Sequence, residues 1–401
     1  MTMTGKAAGK AAGAAASLAA SLAALLLTAP GAGAAEVVLG FSMAKTGPYV
    51  SLANTNEVAV DMAVAEINAR GGVGGHTLRL VKFDTGGDPK QAALAVRRFA
   101  EDDKALAVIG PFSSSEVRVA FPAGERLGIV QMSMSSSAPN LTKGFSYAFR
   151  NTRDEGKVID QVLATLKDKK LPSASGAIAY ATDDVVSKSI GTAVLPGLMA
   201  KYEIPVKGSV DFQYNAFDLS PQVSRLAQMQ ADVIGLGAPP EAAVNLAKEM
   251  KRQGVKGRLV GGTTIADPEL PRRMEGAGET LTIGTTFFPA LNARTRTFAK
   301  EFGQRTKAAG IARHEPNQQD AAAYDIVYLI AEAASRAKVT AEPGRLAAER
   351  TAIRDALASL KDFDALEGSI SFGEERDAIK PIYVVEVKGS EWALLDTRKA
   401  D

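Results

Sequence analysis

From Glu36 to Val387 the chain alternates apolar, strand-like runs with amphipathic helical ones, and this alternation constrains the fold more than any other feature. Glu36 to Met43 reads as a strand. A helix follows from about Asn56 to Arg70, with Val60, Val64 and Ile67 on one face at helical spacing, and Gly71-Gly72 stops it. Thr77 to Asp84 is the next strand. Asp88-Pro89 looks like an N-cap with proline in the first turn, opening a helix to about Asp102. Ala105 to Gly110 and Ile129 to Met134 are short apolar runs of buried-strand type. After Asn151 the spacing predicts helices over 155–168, 187–202, 219–230 and 240–253, between strands over 175–182, 206–213, 232–237 and 257–263. Helices over 293–308, 319–337 and 345–360 come next, then β-like Gly368 to Phe372 and Ile382 to Val387. Strands alternating with helices of this length predict parallel sheets covered on both faces. Two such sheets without a Pro/Ser-rich linker predict two α/β lobes that share several crossings.

The N-terminus sets the compartment. Residues 1–35 carry Lys6 and Lys10 and no acid, then an apolar run from Ser17 through Leu27, then Pro30 and small residues ending Ala32-Gly-Ala-Ala35. That order is the pattern of a cleaved signal peptide, and roughly a dozen apolar residues are too few to span a bilayer comfortably. Cleavage near Ala34 or Ala35 and release into the periplasm without a lipid anchor are the expectation, because no cysteine follows the leader. The two leader lysines account for the whole formal charge of +2, so the rest of the chain is neutral. Neutrality gives no support for nucleic acid or an anionic membrane as partner. With no cysteine and only His76 and His314, there is no thiolate chemistry and little for a zinc site or a histidine triad. No metal and no cofactor are expected.

Two serine-rich breaks carry the functional signal. Val108-Ile-Gly-Pro-Phe-Ser-Ser-Ser-Glu116 and Met132-Ser-Met-Ser-Ser-Ser-Ala-Pro-Asn-Leu-Thr142 each follow an apolar strand and precede a helix-like or capped segment. Hydroxyls and free N–H groups then gather at successive strand ends, where open α/β sheets bind ligands and where an anion such as a carboxylate can be held. Asp183-Asp184 is a carboxylate pair at another strand end, a position where acids commonly cap or face solvent. Gly235-Leu-Gly237 lacks the third glycine of a nucleotide loop, and no phosphate loop or Gly-x-Ser-x-Gly elbow exists.

Taken in order, Lys45-Thr-Gly-Pro48, Ala65-Glu-Ile-Asn-Ala-Arg-Gly-Gly72, Gly87-Asp-Pro-Lys-Gln91, Val108-Ile-Gly110, the 113–115 serines, Ala138-Pro139 and Phe149-Arg150 form a recognisable series. Phe217-Asp-Leu-Ser-Pro221 and Ala323-Tyr-Asp-Ile-Val-Tyr328 extend it over nearly the whole chain after the leader. The series resembles the type I periplasmic binding proteins that serve branched-chain amino acid ABC transporters. The resemblance implies two doubly wound α/β lobes joined by three hinge crossings, with ligand bound in the cleft between them and no chemistry performed. It places lobe 1 at 36–151 with 285–367 and lobe 2 at 152–284 with 368–401.

The resemblance also implies that Ser114 and Ser137 hold a ligand carboxylate, that backbone near Ser135 and Ser136 assists, and that Phe112 and Ser113 line the side-chain pocket. Amino acid binders of this type carry an acid for the ligand ammonium where Thr263 stands, and often aromatics where Val186 and Ala238 or Pro239 stand. The simplest expectation is a carboxylate ligand without an ammonium, aromatic acids included, unless Asp183, Asp184 or Asp267 supplies the charge. A monomeric binding protein that hands a small carboxylate (an amino acid or another organic acid) to an inner-membrane ABC permease is the function expected. A periplasmic sensor subunit is the alternative, and a hydrolase the distant one.

Overall fold

The computed structural model describes residues 35–399, so the expected secretion leader falls, Ala35 apart, outside the described residues. The first sheet has order β2–β1–β3–β4–β5 and is parallel throughout, with β1 Glu36–Met43, β2 Thr77–Asp84, β3 Ala107–Ile109, β4 Val130–Ser133 and β5 Ala148–Arg150. Its strands are apolar on both sides because both sides are covered. Leu39, Phe41, Ile109 and Met132 pack against the helices Asn56–Ala69 and Gln318–Arg336. Their neighbours Val38 and Val108 point the other way, onto Phe99, Ala120 and Ile129.

The second lobe repeats the scheme with five parallel strands, β6 Gly176–Ala181, β7 Val206–Phe212, β8 Val233–Gly237, β9 Arg258–Gly261 and β10 Thr282–Thr285. Ala179 and Leu236 face the helices Ser220–Met229 and Pro240–Gln253, while Ile178 and Val260 face the helix Glu155–Asp168. A small antiparallel sheet then forms from β11 Phe363–Ala365, β12 Gly368–Phe372 and β13 Ala378–Ile379. Two antiparallel strands, β14 Ile382–Lys388 and β15 Glu391–Arg398, complete the second sheet in the order β15–β14–β10–β9–β8–β6–β7.

Two expectations are corrected. Gly368–Phe372 does not open lobe 2: Ile370, Phe372 and Ala378 are buried in the core of the first lobe, and the chain joins the second sheet only at Ile382. The three crossings therefore run through Asn151, Thr286 and the Lys380–Pro381 pair. The helix expected over 187–202 is Val185–Ser189, a π-helical turn Ile190–Val194, and Leu195–Lys201. Pro196 removes one amide from the ladder and crowds the carbonyl four residues back, which the wider turn accommodates. Gly191 lies in that turn against the Tyr180 ring, where a Cβ would sit 2.1 Å from Cγ.

Candidate functional site

Seven connections leave the carboxyl ends of strands in the two sheets and meet between the lobes. From the first lobe come Tyr49 and Leu52 after β1, Phe112, Ser113 and Ser114 after β3, and Ser135 and Ser137 after β4. From the second come Asp184, Val186 and Ser187 after β6, Tyr214 after β7, Pro239 after β8, and Thr263 and Thr264 after β9. Gln319, in the first turn of its long helix, closes the first-lobe side. The space between them measures about 50 Å³. A larger concavity of about 770 Å³ lies on the second lobe alone, at the amino ends of its strands, the opposite end from where such sheets bind ligands.

The serine wall is shaped locally. Gly110 has φ +101° and passes so close to β1 that a Cβ would lie 2.4 Å from the Ser42 carbonyl oxygen, so only glycine fits. Ser113 then caps the helix Ser114–Leu127. Its hydroxyl accepts from the Glu116 amide at 3.2 Å, and the Glu116 carboxylate accepts from the Ser113 amide at 2.8 Å and from the Thr85 hydroxyl at 2.5 Å. Burial raises the Glu116 carboxyl above its ordinary range. This helix start, with Ser113 and Ser114 beside it, aims its positive end at the cleft. Ser114 Oγ accepts from the Ala138 amide at 3.2 Å, which ties the two serine loops together.

Eight of the ten residues expected at the site line the cleft: Phe112, Ser113, Ser114, Ser135, Ser137, Asp184, Val186 and Thr263. Ser136 and Ala238 do not. Ser136 points into the protein, 1% exposed, and its amide is engaged by Ser133 Oγ at 3.1 Å, as is that of Ser135 at 3.4 Å. Ala238 is fully buried in the second-lobe core, and Pro239 takes its place on the wall. Val186 crosses the cleft to pack against the cluster of Val117 and Phe121.

Of the stand-in acids, only Asp184 faces the cleft, where it also caps its helix by accepting from the Ser187 amide at 2.8 Å. Asp183 accepts from the Tyr214 amide at 2.6 Å, and Asp267 is paired with Arg273 at 3.0 Å.

Tyr49, Tyr214, Gln319 and Glu155 were missed. Burial, then the charge of Asp184, pushes the Tyr49 hydroxyl up to about 12, and burial raises Tyr214 further, so both remain hydrogen-bond donors. Tyr214 reaches across to the Pro48 carbonyl at 3.2 Å, and Arg272 pairs with Glu315 between the lobes at 2.9 Å. Gln319 is 2% exposed, and its Oε1 is buried with no hydrogen-bond partner.

Glu155 opens its helix directly behind Thr263. Its carboxylate accepts from Thr263 Oγ1 at 2.9 Å and from the Thr264 amide at 3.0 Å. Burial raises the Glu155 carboxyl from 4.5 to about 7, against the pull of those two hydrogen bonds. In the sequence it reads as an ordinary first-turn acid, and nothing in the spacing ties it to Thr263, 108 residues away.

Cleft walls supplied by both lobes at the carboxyl ends of two parallel sheets, with three crossings between them, define a two-lobed solute-binding protein. Residues 36–391 match the family described as periplasmic binding protein, and the chain belongs to that family. It is 30% identical over 247 residues to an amino acid binding protein of Pseudomonas aeruginosa, covering 59% of this chain and 63% of that protein's length. Among solved structures it resembles the branched-chain amino acid transporter substrate binding protein LivJ of Streptococcus pneumoniae in complex with isoleucine. There the TM-score is 0.77 at 21% identity, over 90% of this chain and 99% of that one. It resembles a solute binding protein of R. palustris in complex with 4-hydroxybenzoate equally well, with TM-score 0.77 at 17% identity, over 91% and 97%.

Among the described residues no helix is long and apolar enough to cross a membrane, and no group of acids and histidines is placed to hold a metal ion.

Proposed function

We propose that this protein captures a small carboxylate in the interlobe cleft and delivers it to an ABC importer in the inner membrane. One observation carries the reading: a capped helix start bearing Ser113 and Ser114, joined by Ser135 and Ser137, faces Asp184, Tyr214 and Thr263 of the other lobe. The serine side offers hydroxyls and a positive helix end to an anion. About 50 Å³ is less room than an amino acid or a benzoate needs, so the lobes part to admit the ligand and close around it to a wider separation than the one seen here. The contacts Tyr214–Pro48 and Arg272–Glu315 join the two lobes across the cleft, and parting the lobes to admit a ligand would strain or break them. The relatives are substrate-binding proteins, and the cleft serves binding without chemistry. The leader-like N-terminus supports a periplasmic location.

A thermal-shift screen of ligand-stripped protein tests this, because a ligand that binds only the native state raises its melting temperature. Amino acids and aromatic or aliphatic acids are compared with their primary amides. Stabilisation by carboxylates and not by the matching amides is expected. Equal response to both, or to neither, would overturn the carboxylate grip.

A further inference from the structure

We propose a second small-molecule site, beside the hinge and separate from the cleft, for a compact neutral molecule with an apolar ring and one hydrogen-bond acceptor. It stands whatever the cleft binds. A cavity of about 190 Å³ lies where the second crossing leaves β10. Residues 266–272 and the β14–β15 hairpin of the second lobe form one side, and residues 315–318 of the first lobe form the other. Gln318 borders this cavity while its chain neighbour Gln319 borders the cleft, so the first turn of one helix stands between the two spaces.

The body of the cavity is apolar. Phe287 belongs to the first-lobe core, Phe288 and Trp392 pack on the second-lobe core, and Pro268, Pro289 and Pro316 add rings that carry no amide donor. Trp392 gives its only donor to the Asp267 carbonyl at 2.9 Å, so it presents the cavity with ring carbons alone. Arg272 and Glu315 neutralise each other across the lobes at 2.9 Å. Glu391 is the remaining charge on the lining, and it disfavours an anion. A space of about 150 Å³ suffices for a benzene ring.

One polar group on the lining has no partner. Gln318 is 3% exposed, and its orientation is fixed by its neighbours. The Thr286 amide needs an acceptor and finds Gln318 Oε1 at 3.0 Å, and the Thr285 hydroxyl donates to the same oxygen at 3.1 Å. Gln318 Nε2 therefore carries the hydrogens, and it donates to no acceptor among the described residues. Asn317 beside it is satisfied, donating to the Leu52 carbonyl at 2.9 Å and accepting from the Asp320 amide at 2.9 Å. A buried donor left dry is costly, and a ligand oxygen seated in the cavity removes that cost. A cation would meet this donor instead of an acceptor, so a neutral acceptor fits best.

The test uses the full chain, stripped of ligand, with benzyl alcohol as the acceptor-bearing probe and toluene as its counterpart without an oxygen. Neither has the carboxylate that the cleft is proposed to hold. Trp392, the one tryptophan of the chain, reports on its own wall. Benzyl alcohol should shift its emission saturably, and calorimetry should show it binding about three- to tenfold more tightly than toluene. Gln318→Glu keeps an acceptor for the Thr286 amide and removes the NH2 group, so it should abolish that preference. Ala290→Phe, at an exposed position on the rim, puts a ring in the mouth with little risk to folding and should abolish binding of both probes. Ser114→Ala, in the cleft, should leave both unchanged. An emission change that rises without saturating, or no binding of either probe, would overturn the site. So would affinity that survives Ala290→Phe, a preference that survives Gln318→Glu, or loss of the probes in Ser114→Ala, which would put them in the cleft.

Discussion

In the proposed carboxylate grip two hydroxyls of the first-lobe wall, those of Ser114 and Ser137, meet the anion. Ser114 and Ser137 are 6% and 2% exposed, and the space beside them is the cleft itself. Replacing Ser137 by alanine should weaken a bound carboxylate by about 0.5–1.5 kcal/mol, and by up to about 3 kcal/mol if the bond is charge-assisted. Titration calorimetry reads this directly, and unchanged affinity in both single alanine variants would remove the serines from the site. These residues were legible because hydroxyls clustered after apolar strands have a physical use at a strand end. Glu155 was not legible, since its role depends on a contact with Thr263 that only the fold creates. It yields a second prediction. Its carboxyl holds a proton more tightly in the folded state, about 7, than at the ordinary 4.5, so its contribution to stability is fullest below about pH 4.5 and is lost as pH rises through about 7. Ligand-free Glu155→Gln should therefore lose less melting temperature than the wild type between about pH 5 and about pH 8. Parallel decline of the two melting curves would show that Glu155 carries no such burden.

At the scale of elements, loops that bind are held by backbone fits that tolerate little change. Gly110 precedes the serine-capped helix with φ +101°, and the Ser42 carbonyl fills the place of its missing side chain. Gly110→Ala would add both a strained φ and a backbone clash, and should cost about 1–3 kcal/mol, read as a lower urea midpoint. A midpoint unchanged within error would mean that the loop has room the geometry denies it. Long periodic elements were readable: β1, β2, and the helices Glu155–Asp168, Pro240–Gln253 and Ala293–Ala308 fall on their expected bounds. The misses have causes. β5 and β10 are three and four residues long, too short for a period to show. β15 is a half-exposed edge strand with mixed polarity. The interruption at Ile190–Val194 leaves the apolar spacing of its helix almost intact, so the sequence hides it.

The whole molecule turns on the place where its three crossings meet, and there a buried ionic cluster binds them together. Glu367 accepts from Thr286 Oγ1 of the second crossing at 2.5 Å, and from Lys380 Nζ of the third at 2.5 Å. Lys380 Nζ also donates to the Asn151 carbonyl of the first crossing at 2.8 Å, and Asp325 accepts from the amides of Leu366 and Glu367 at 2.9 and 3.0 Å. Lys380, Glu367 and Asp325 are each almost wholly buried, and burial raises both carboxyls above their ordinary values. Alternation of strand and helix made the two lobes legible, but not this junction, whose members come from four distant segments of sequence. Two acids share one ammonium, so the lysine decides whether their charge is tolerable. Lys380→Met should strand that charge and cost about 3–5 kcal/mol at neutral pH. Because the stranded carboxyls can escape the cost by taking up protons, and burial already holds them above their ordinary values, the loss should shrink as pH falls from neutral through that raised range. Adding Glu367→Gln to Lys380→Met should recover part of the loss at neutral pH, a coupling that a double-mutant cycle in urea measures. A loss of the same size at every pH, with no recovery in the double variant, would mean that Lys380 acts at the hinge through packing alone.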